Sequence, residues 1–110
     1  MSNNRLNQLI SILEQGSKDP FIRYAIATEY LKEGKVSLAL EFYEYLVENN
    51  PDYIGTYYHL GKLYDNIGRK EDAKTTFEKG IQAAKESQNL HALSELQQIY
   101  QSLLLDLDDE

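Results

Sequence analysis

Hydrophobic residues recur at every third or fourth position along most of the chain, with polar residues between them. Leu6, Leu9, Ile10 and Leu13 form one such series, and later segments repeat the same spacing. This period predicts amphipathic helices, because it places the apolar side chains on one face of a helix. Strand-like alternation of useful length is missing from the sequence. The pattern therefore predicts an all-α fold.

Glycines, prolines and acidic residues mark the expected helix ends. Asp19 before Pro20 predicts a helix start, because a carboxylate caps free backbone N–H groups and proline needs no N–H at the first position. Asp52, after Pro51, is the predicted cap of a later helix. Three glycines stand where a residue in the left-handed conformation ends a helix: Gly16, Gly34 and Gly68.

An internal repeat with a period of 34 residues covers the middle of the chain. Identical residues recur at this offset, and the pairs are Tyr24 and Tyr58, Tyr30 and Tyr64, Gly34 and Gly68, Ala39 and Ala73, and Glu44 and Glu78. A fixed period of this length indicates stacked units of secondary structure.

The residues within each period resemble the tetratricopeptide repeat, a helix–turn–helix unit of 34 residues. Residues 54–87 contain Tyr57, Leu60, Gly61, Tyr64, Ala73 and Phe77, and residues 20–53 contain Ile26, Ala27, Tyr30, Ala39, Tyr43 and Pro51. The chain is similar to the short stand-alone bacterial members of this family. The resemblance implies an α-α superhelix, with repeat one at 20–53 and repeat two at 54–87. It places both repeats in a single domain, 1–110.

The flanking segments complete this prediction. An extra helix is expected within 1–19, a capping helix within 88–105, and an acidic tail at 106–110. Leu93, Leu96 and Tyr100 follow three matching positions of repeat two by 36 residues, so they should be buried. Gln97 stands where a small residue would admit another helix, and the stack is therefore expected to end there.

Gly61 lies inside a predicted helix, where glycine costs about 1 kcal/mol relative to alanine. The resemblance places this residue where the two helices of repeat two cross, opposite Ala73. A side chain at Gly61 would push the helices apart. We therefore expect that close packing offsets the poor helix propensity of glycine.

The resemblance implies a non-catalytic protein–protein interaction module. Its concave face, lined by the first helix of each unit, would bind a peptide or helix of a partner protein. The residues expected on this face are Phe21, Tyr24, Thr28, Tyr58, Lys62, Asp65, His91 and Gln98. Two alternatives stay open: Tyr24 and Tyr58 pack only between helices, or the chain assembles with itself as a structural scaffold, such as a homodimer.

Composition narrows the other function classes. The net charge is −7 without a basic stripe, which disfavours nucleic acid and anionic membranes as partners. No cysteine, secretory segment or long apolar run occurs, so we expect a cytoplasmic protein. His59 and His91 are the only imidazoles and lack a third ligand at helical spacing. We therefore expect no metal, cofactor or enzymatic activity.

Overall fold

The computed structural model describes residues 3–108, which form six helices joined by short turns. The helices are α1 (Asn4–Glu14), α2 (Pro20–Lys32), α3 (Val36–Asn49), α4 (Gly55–Asn66), α5 (Lys70–Glu86) and α6 (Leu90–Asp108). No strand occurs within these residues, and the predicted all-α fold is confirmed. Helix α6 continues three residues beyond the predicted cap. The outermost residues of the predicted terminal segments, 1–2 and 109–110, lie outside the described part of the chain.

The chain divides after Asn50 into two compact units, with α1–α3 in the first and α4–α6 in the second. In the first unit α2 packs against both α1 and α3, and in the second α5 packs against both α4 and α6. Each unit is therefore a helical hairpin with one added helix. These hairpins confirm the predicted α-α superhelix fold class, whereas the assignment of 1–110 to one domain stays a prediction.

The helix ends follow most of the predicted signals. The Asp19 carboxylate accepts a hydrogen bond from the Phe21 N–H at 3.0 Å. Gly16, Gly34 and Gly68 have positive φ angles of 98°, 75° and 85°. Gln88, which follows α5, has a φ of 57° and is the one non-glycine residue with positive φ among residues 3–108. Left-handed backbone thus ends four of the helices, three of them at a glycine.

The predicted cap at Asp52 is wrong. Helix α4 begins at Gly55, and its N-cap residue, Ile54, makes no side-chain capping hydrogen bond. Pro51 and Asp52 form a turn instead, and the Tyr57 hydroxyl donates a hydrogen bond to the Pro51 carbonyl. Asp52 therefore lies in the turn, two residues before the N-cap position of α4.

A buried carboxylate joins α1 to α2 in the first unit. Glu29 is only 6% exposed and accepts hydrogen bonds from Lys32 Nζ at 3.1 Å and Asn3 Nδ2 at 3.3 Å. Arg5 Nε lies 3.5 Å from the same carboxylate. The hydrogen bond from Lys32, followed by that from Asn3, lowers the pKa of Glu29. The N-terminal helix is thus attached by polar contacts as well as by the apolar core of Leu6, Leu9, Ile22, Ala25 and Ile26.

Glycines allow close packing in the second unit. A Cβ on Gly61 would lie 2.3 Å from Phe77 Cε1, and a Cβ on Gly80 would lie 2.5 Å from Tyr57 Cβ. The expected crossing at Gly61 is present, although the nearest side-chain atoms belong to Phe77 rather than to Ala73. Both glycines are buried inside helices. Glycine, despite its low helix propensity, therefore occupies two helical positions that have no room for a side chain.

Helix α6 covers α5 through an apolar face. Leu96 and Leu103 are buried, whereas Leu93 and Tyr100 are half-buried. The Tyr100 hydroxyl donates a hydrogen bond to Glu78 Oε2 at 2.6 Å. Gln97 is exposed. The prediction of a packed C-terminal helix is confirmed, with deeper burial at Leu96 than at its two predicted neighbours.

None of the helices in the described range combines the length and apolar character that a membrane crossing requires.

Candidate functional site

Two adjacent cavities lie between α4 and α6 in the second unit, and we call them together the α4–α6 groove. The first has a volume of about 280 Å³ and is lined by Ile54, Gly55, Tyr58, His59, Ala92, Glu95 and Leu96. The second has a volume of about 270 Å³ and is lined by Tyr58, Glu95, Gln98, Ile99 and Ser102. Because Tyr58 and Glu95 line both cavities, these two side chains mark the middle of the groove.

Helical spacing builds the α6 wall of the groove. Ala92, Glu95, Ile99 and Ser102 follow one another at intervals of three or four residues, so they share one side of the helix. Leu96 is 1% exposed and closes the first cavity from within the core. The wall therefore alternates apolar and polar side chains along its length.

Tyr58 is the aromatic centre of the α4 wall. Its ring is half-buried and lies edge-on to His59, with 5.7 Å between the ring centroids. Lys62, one turn further along α4, is exposed and places its Nζ 5.9 Å from the Tyr58 ring centroid. This is the outer limit of a cation–π contact. The α4 wall thus contains an aromatic ring with an imidazole and a lysine beside it.

The surroundings of His59 in the groove disfavour its protonated form. Burial is the main cause that lowers the pKa of His59, and the nearby Lys62 lowers it further, against an opposing effect of Glu95. His91 Nε2 lies 3.2 Å from Glu95 Oε1, a contact that becomes an ion pair only when the imidazole is protonated. Glu95 is the only aspartate, glutamate, lysine or arginine in the two described linings.

The second unit brings together several of the predicted binding residues. Tyr58 and Gln98 line the groove, and Lys62 lies beside Tyr58. His91 contacts Glu95 but does not line either cavity. Asp65 lies further along α4 and forms an ion pair with Lys70. The groove therefore contains two predicted residues in its lining and two more in contact with that lining.

The remaining predicted residues lie on α2 in the first unit. Phe21 is 44% exposed, and its ring centroid lies 6.3 Å from that of the half-buried Tyr24. Tyr24 also packs edge-on against Tyr43 at 6.1 Å. The Thr28 hydroxyl shares a hydrogen bond of 3.0 Å with the Tyr43 hydroxyl. Tyr24 and Thr28 thus have packing contacts within their own hairpin, and a binding role for this surface stays a prediction.

The sequence interpretation missed most of the α6 wall. The predicted binding residues do not include His59, Ala92, Glu95, Ile99 or Ser102, although the absence of a third metal ligand favours a surface or groove position for His59. The spacing of the four α6 residues was a usable signal, because it places them on one helix side. Which side faces α4 depends on tertiary packing. In residues 3–108, no three His, Cys, Asp or Glu side chains are arranged to hold a metal ion.

The fold defines a helical-hairpin repeat protein, and comparison with known families agrees. Residues 30–99 match the family model described as a tetratricopeptide repeat. The chain belongs to the tetratricopeptide repeat family. Proteins with this fold generally mediate protein–protein interactions and are generally non-catalytic scaffolds.

Solved structures support the same assignment. A tetratricopeptide repeat domain protein from Salinibacter ruber is 50% identical, with a TM-score of 0.76 for its solution structure, covering 78% of this chain and 87% of that one. Its crystal structure gives a TM-score of 0.74 and covers 78% and 96% of the two chains. A Bordetella parapertussis protein shares the fold at 23% identity and a TM-score of 0.79, covering 96% and 91%.

A curated relative is much longer than this chain. The N-alpha-acetyltransferase 16, NatA auxiliary subunit of Mus musculus is 30% identical over 74 residues. The match covers 63% of this chain but only 9% of the mouse protein. The similarity therefore concerns a small part of that subunit.

Proposed function

We propose that this chain is a non-catalytic interaction module that holds a peptide or helix of a partner protein in the α4–α6 groove. The observation that carries the proposal is the pair of adjoining cavities with Tyr58 and Glu95 between them. Each cavity alone lies just below the roughly 300–1,000 Å³ typical of small-molecule sites. Two small cavities in a row suit successive side chains of a peptide better than a cofactor.

The length of the groove agrees with this occupant. Ala92 and Ser102 are ten residues apart on α6, a distance of about 15 Å at the rise of an α-helix. About four or five residues of an extended peptide span that distance. Tyr58 supplies a rigid aromatic contact in the middle, and tyrosine is frequent among residues that dominate binding energy.

Site-specific photo-crosslinking tests the proposal. We replace Gln98, which is exposed in the groove, with p-benzoylphenylalanine, irradiate the purified protein in a lysate of its native cell, and sequence the adducts by mass spectrometry. Gln82, exposed on α5 outside both cavity linings, receives the same crosslinker as the matched control. We expect a defined partner peptide at position 98 and none at position 82. Adducts at position 82 alone would overturn the assignment of the groove.

Self-assembly is the second candidate, and exposed leucines on α6 favour it. Leu90 is 74% exposed and Leu105 is 65% exposed, so both would gain from contact with another copy. Light scattering between micromolar and millimolar concentrations distinguishes this candidate, because a self-assembling chain increases in mass with concentration. A constant monomer mass over that range would exclude it.

A further inference from the structure

The two helices that form the α4–α6 groove differ in charge. Helix α6 contains no lysine or arginine among its 19 residues and carries Glu95, Asp106 and Asp108. Lys62 is the only lysine or arginine of α4. Asp65 of α4 forms an ion pair with Lys70, so the charges of these two residues compensate each other. Helix α6 is therefore acidic and contributes Glu95 to the groove lining, whereas the lysine of α4 lies outside both cavity linings.

Glu95 is accessible to a ligand at the point where the two cavities meet. Its side chain is 54% exposed, and its carboxylate contacts only the imidazole of His91 among the ion pairs of the described chain. His91 is itself 88% exposed, so an incoming cation can displace it at little cost. The carboxylate thus remains available to a positively charged group.

We propose that the partner segment places an apolar side chain in the cavity beside Leu96 and a lysine or arginine against Glu95. This inference rests on the proposed function of the groove. The apolar contact uses Tyr58, Ala92 and Leu96, and the adjacent carboxylate selects a cation. The occupant is accordingly a cationic and apolar peptide.

The charge of the whole chain agrees with this choice. A net charge of −7 attracts basic partners and repels acidic ones, which raises the rate of productive encounter. An acidic peptide would meet Glu95 at the centre of the groove. The cation available to an acidic peptide would be Lys62, which lies outside both cavity linings.

Three synthetic nine-residue peptides provide the probes. Each has a central leucine within a Gly/Ser background, and the two residues beside the leucine are lysine, glutamate or glutamine. Fluorescence anisotropy gives the affinities, and amide chemical shifts of the isotopically labelled full chain locate the binding. We expect the lysine peptide to bind most tightly, to shift the amides of Tyr58, Glu95 and Ile99, and to weaken with added salt.

Substitutions at Glu95 test the role of the carboxylate. Glu95→Gln should weaken the lysine peptide by about two- to five-fold, as expected for an exposed ion pair. Glu95→Lys should reverse the preference toward the glutamate peptide. Glu71→Gln makes the same charge change at an exposed residue that lines neither cavity, and it should leave the affinity unchanged. Circular dichroism verifies that each variant remains folded.

Three results would overturn the inference. The first is equal or tighter binding of the glutamate or glutamine peptide, or no binding of any peptide at millimolar concentration. The second is an equal effect of Glu95→Gln and Glu71→Gln. The third is movement of the groove amides with protein concentration alone, which would indicate a second copy as the occupant. In each case the crosslink at Gln98 reports separately whether the groove holds a partner protein.

Discussion

The ring of Phe77 occupies the space that a side chain on Gly61 would need. A Cβ at Gly61 would lie 2.3 Å from Cε1, 2.6 Å from Cδ1 and 2.7 Å from Cζ of that ring. Phe77 is 1% exposed, so the surrounding core prevents its ring from moving aside. The glycine thus permits the crossing of α4 and α5.

Any side chain at Gly61 should consequently destabilise the protein. We expect Gly61→Leu to lower the free energy of unfolding by about 1–3 kcal/mol or more, because overpacking outweighs the better helix propensity of leucine. Gly61→Ala should have the same sign. Urea denaturation measures both effects. If Gly61→Ala instead raised the free energy of unfolding by about 1 kcal/mol, helix propensity would dominate and the helices would cross elsewhere.

A second substitution isolates the contact itself. Phe77→Leu removes the ring, and we expect Gly61→Ala to cost less in that background than in the native chain. The difference is the coupling energy of a double-mutant cycle, which neighbouring residues show and distant ones do not. Identical costs in the two backgrounds would argue against direct conflict between the two positions.

The repeat pattern predicts Gly61 but not Gly80. Tetratricopeptide resemblance assigns Gly61 to the crossing, and the structure places it there. Gly80 corresponds at the 34-residue offset to Leu46, a large residue that is also fully buried. A Cβ on Gly80 would meet Tyr57 Cβ at 2.5 Å and Leu96 Cδ1 at 3.2 Å. The need for a small residue at this position therefore comes first from Tyr57 of α4, which corresponds to Arg23 in repeat one, and then from Leu96 of α6, which the repeat comparison does not describe.

The candidate site was predictable to a similar extent. Tyr58 and Gln98 were assigned from their positions in the first helices of successive units. Glu95 was missed, because its importance comes from the side of α6 that faces α4. His59 was expected to be an isolated surface or groove residue rather than a metal ligand, and the structure places it in the lining, where burial and then Lys62 lower its pKa. Helical spacing identifies faces, and only tertiary packing decides which faces meet.

Two leucines of α6, one buried and one exposed, allow a matched test of how side-chain burial contributes to stability. Leu96 is 1% exposed and contacts the core, whereas Leu105 is 65% exposed on the same helix. We expect Leu96→Ala to lower the free energy of unfolding by about 2–5 kcal/mol through lost burial and cavity formation. Leu105→Ala should change it by no more than about 0.5 kcal/mol. Equal effects in chemical denaturation would contradict the observed orientation of α6.

A substitution at the C-terminal end of α5 should increase the stability of the protein. Gln88 adopts a φ of 57°, a conformation that costs a residue with a side chain about 1–2 kcal/mol and glycine almost nothing. Part of this gain is offset by the greater freedom of glycine in the unfolded chain. We expect Gln88→Gly to raise the free energy of unfolding by about 0.5–1 kcal/mol. Gln97→Gly, inside α6, is the control and should be destabilising by a comparable amount.

Acid should weaken the attachment of α1 to α2. Folding lowers the pKa of Glu29 from its ordinary value of 4.5, first through Lys32 and then through Asn3. The unfolded chain therefore binds this proton more readily. The resulting stability is fully present above about pH 4.5 and is lost as the pH falls through the lower pKa of the folded state.

Urea midpoints between pH 6 and pH 3 measure this effect. We expect Glu29→Gln to be less stable than the native chain at pH 6 and to show a smaller further loss on acidification. Glu14→Gln, an exposed change on α1, should retain the native pH dependence. Identical slopes for the native chain and Glu29→Gln would remove Glu29 as a source of acid sensitivity.

Tyr58 should contribute more to partner binding than Tyr24. Tyr58 lines both cavities of the groove, whereas the ring of Tyr24 packs against Tyr43 within its own hairpin. We expect Tyr58→Ala to reduce the yield of the adduct at Gln98 by about ten-fold or more, as truncation of a dominant aromatic contact does. Tyr58→Phe should retain most of the yield, because it keeps the ring. Tyr24→Ala should mainly lower the melting temperature. A large loss of adduct from folded Tyr24→Ala, with normal yield from Tyr58→Ala, would move the binding surface to the first unit.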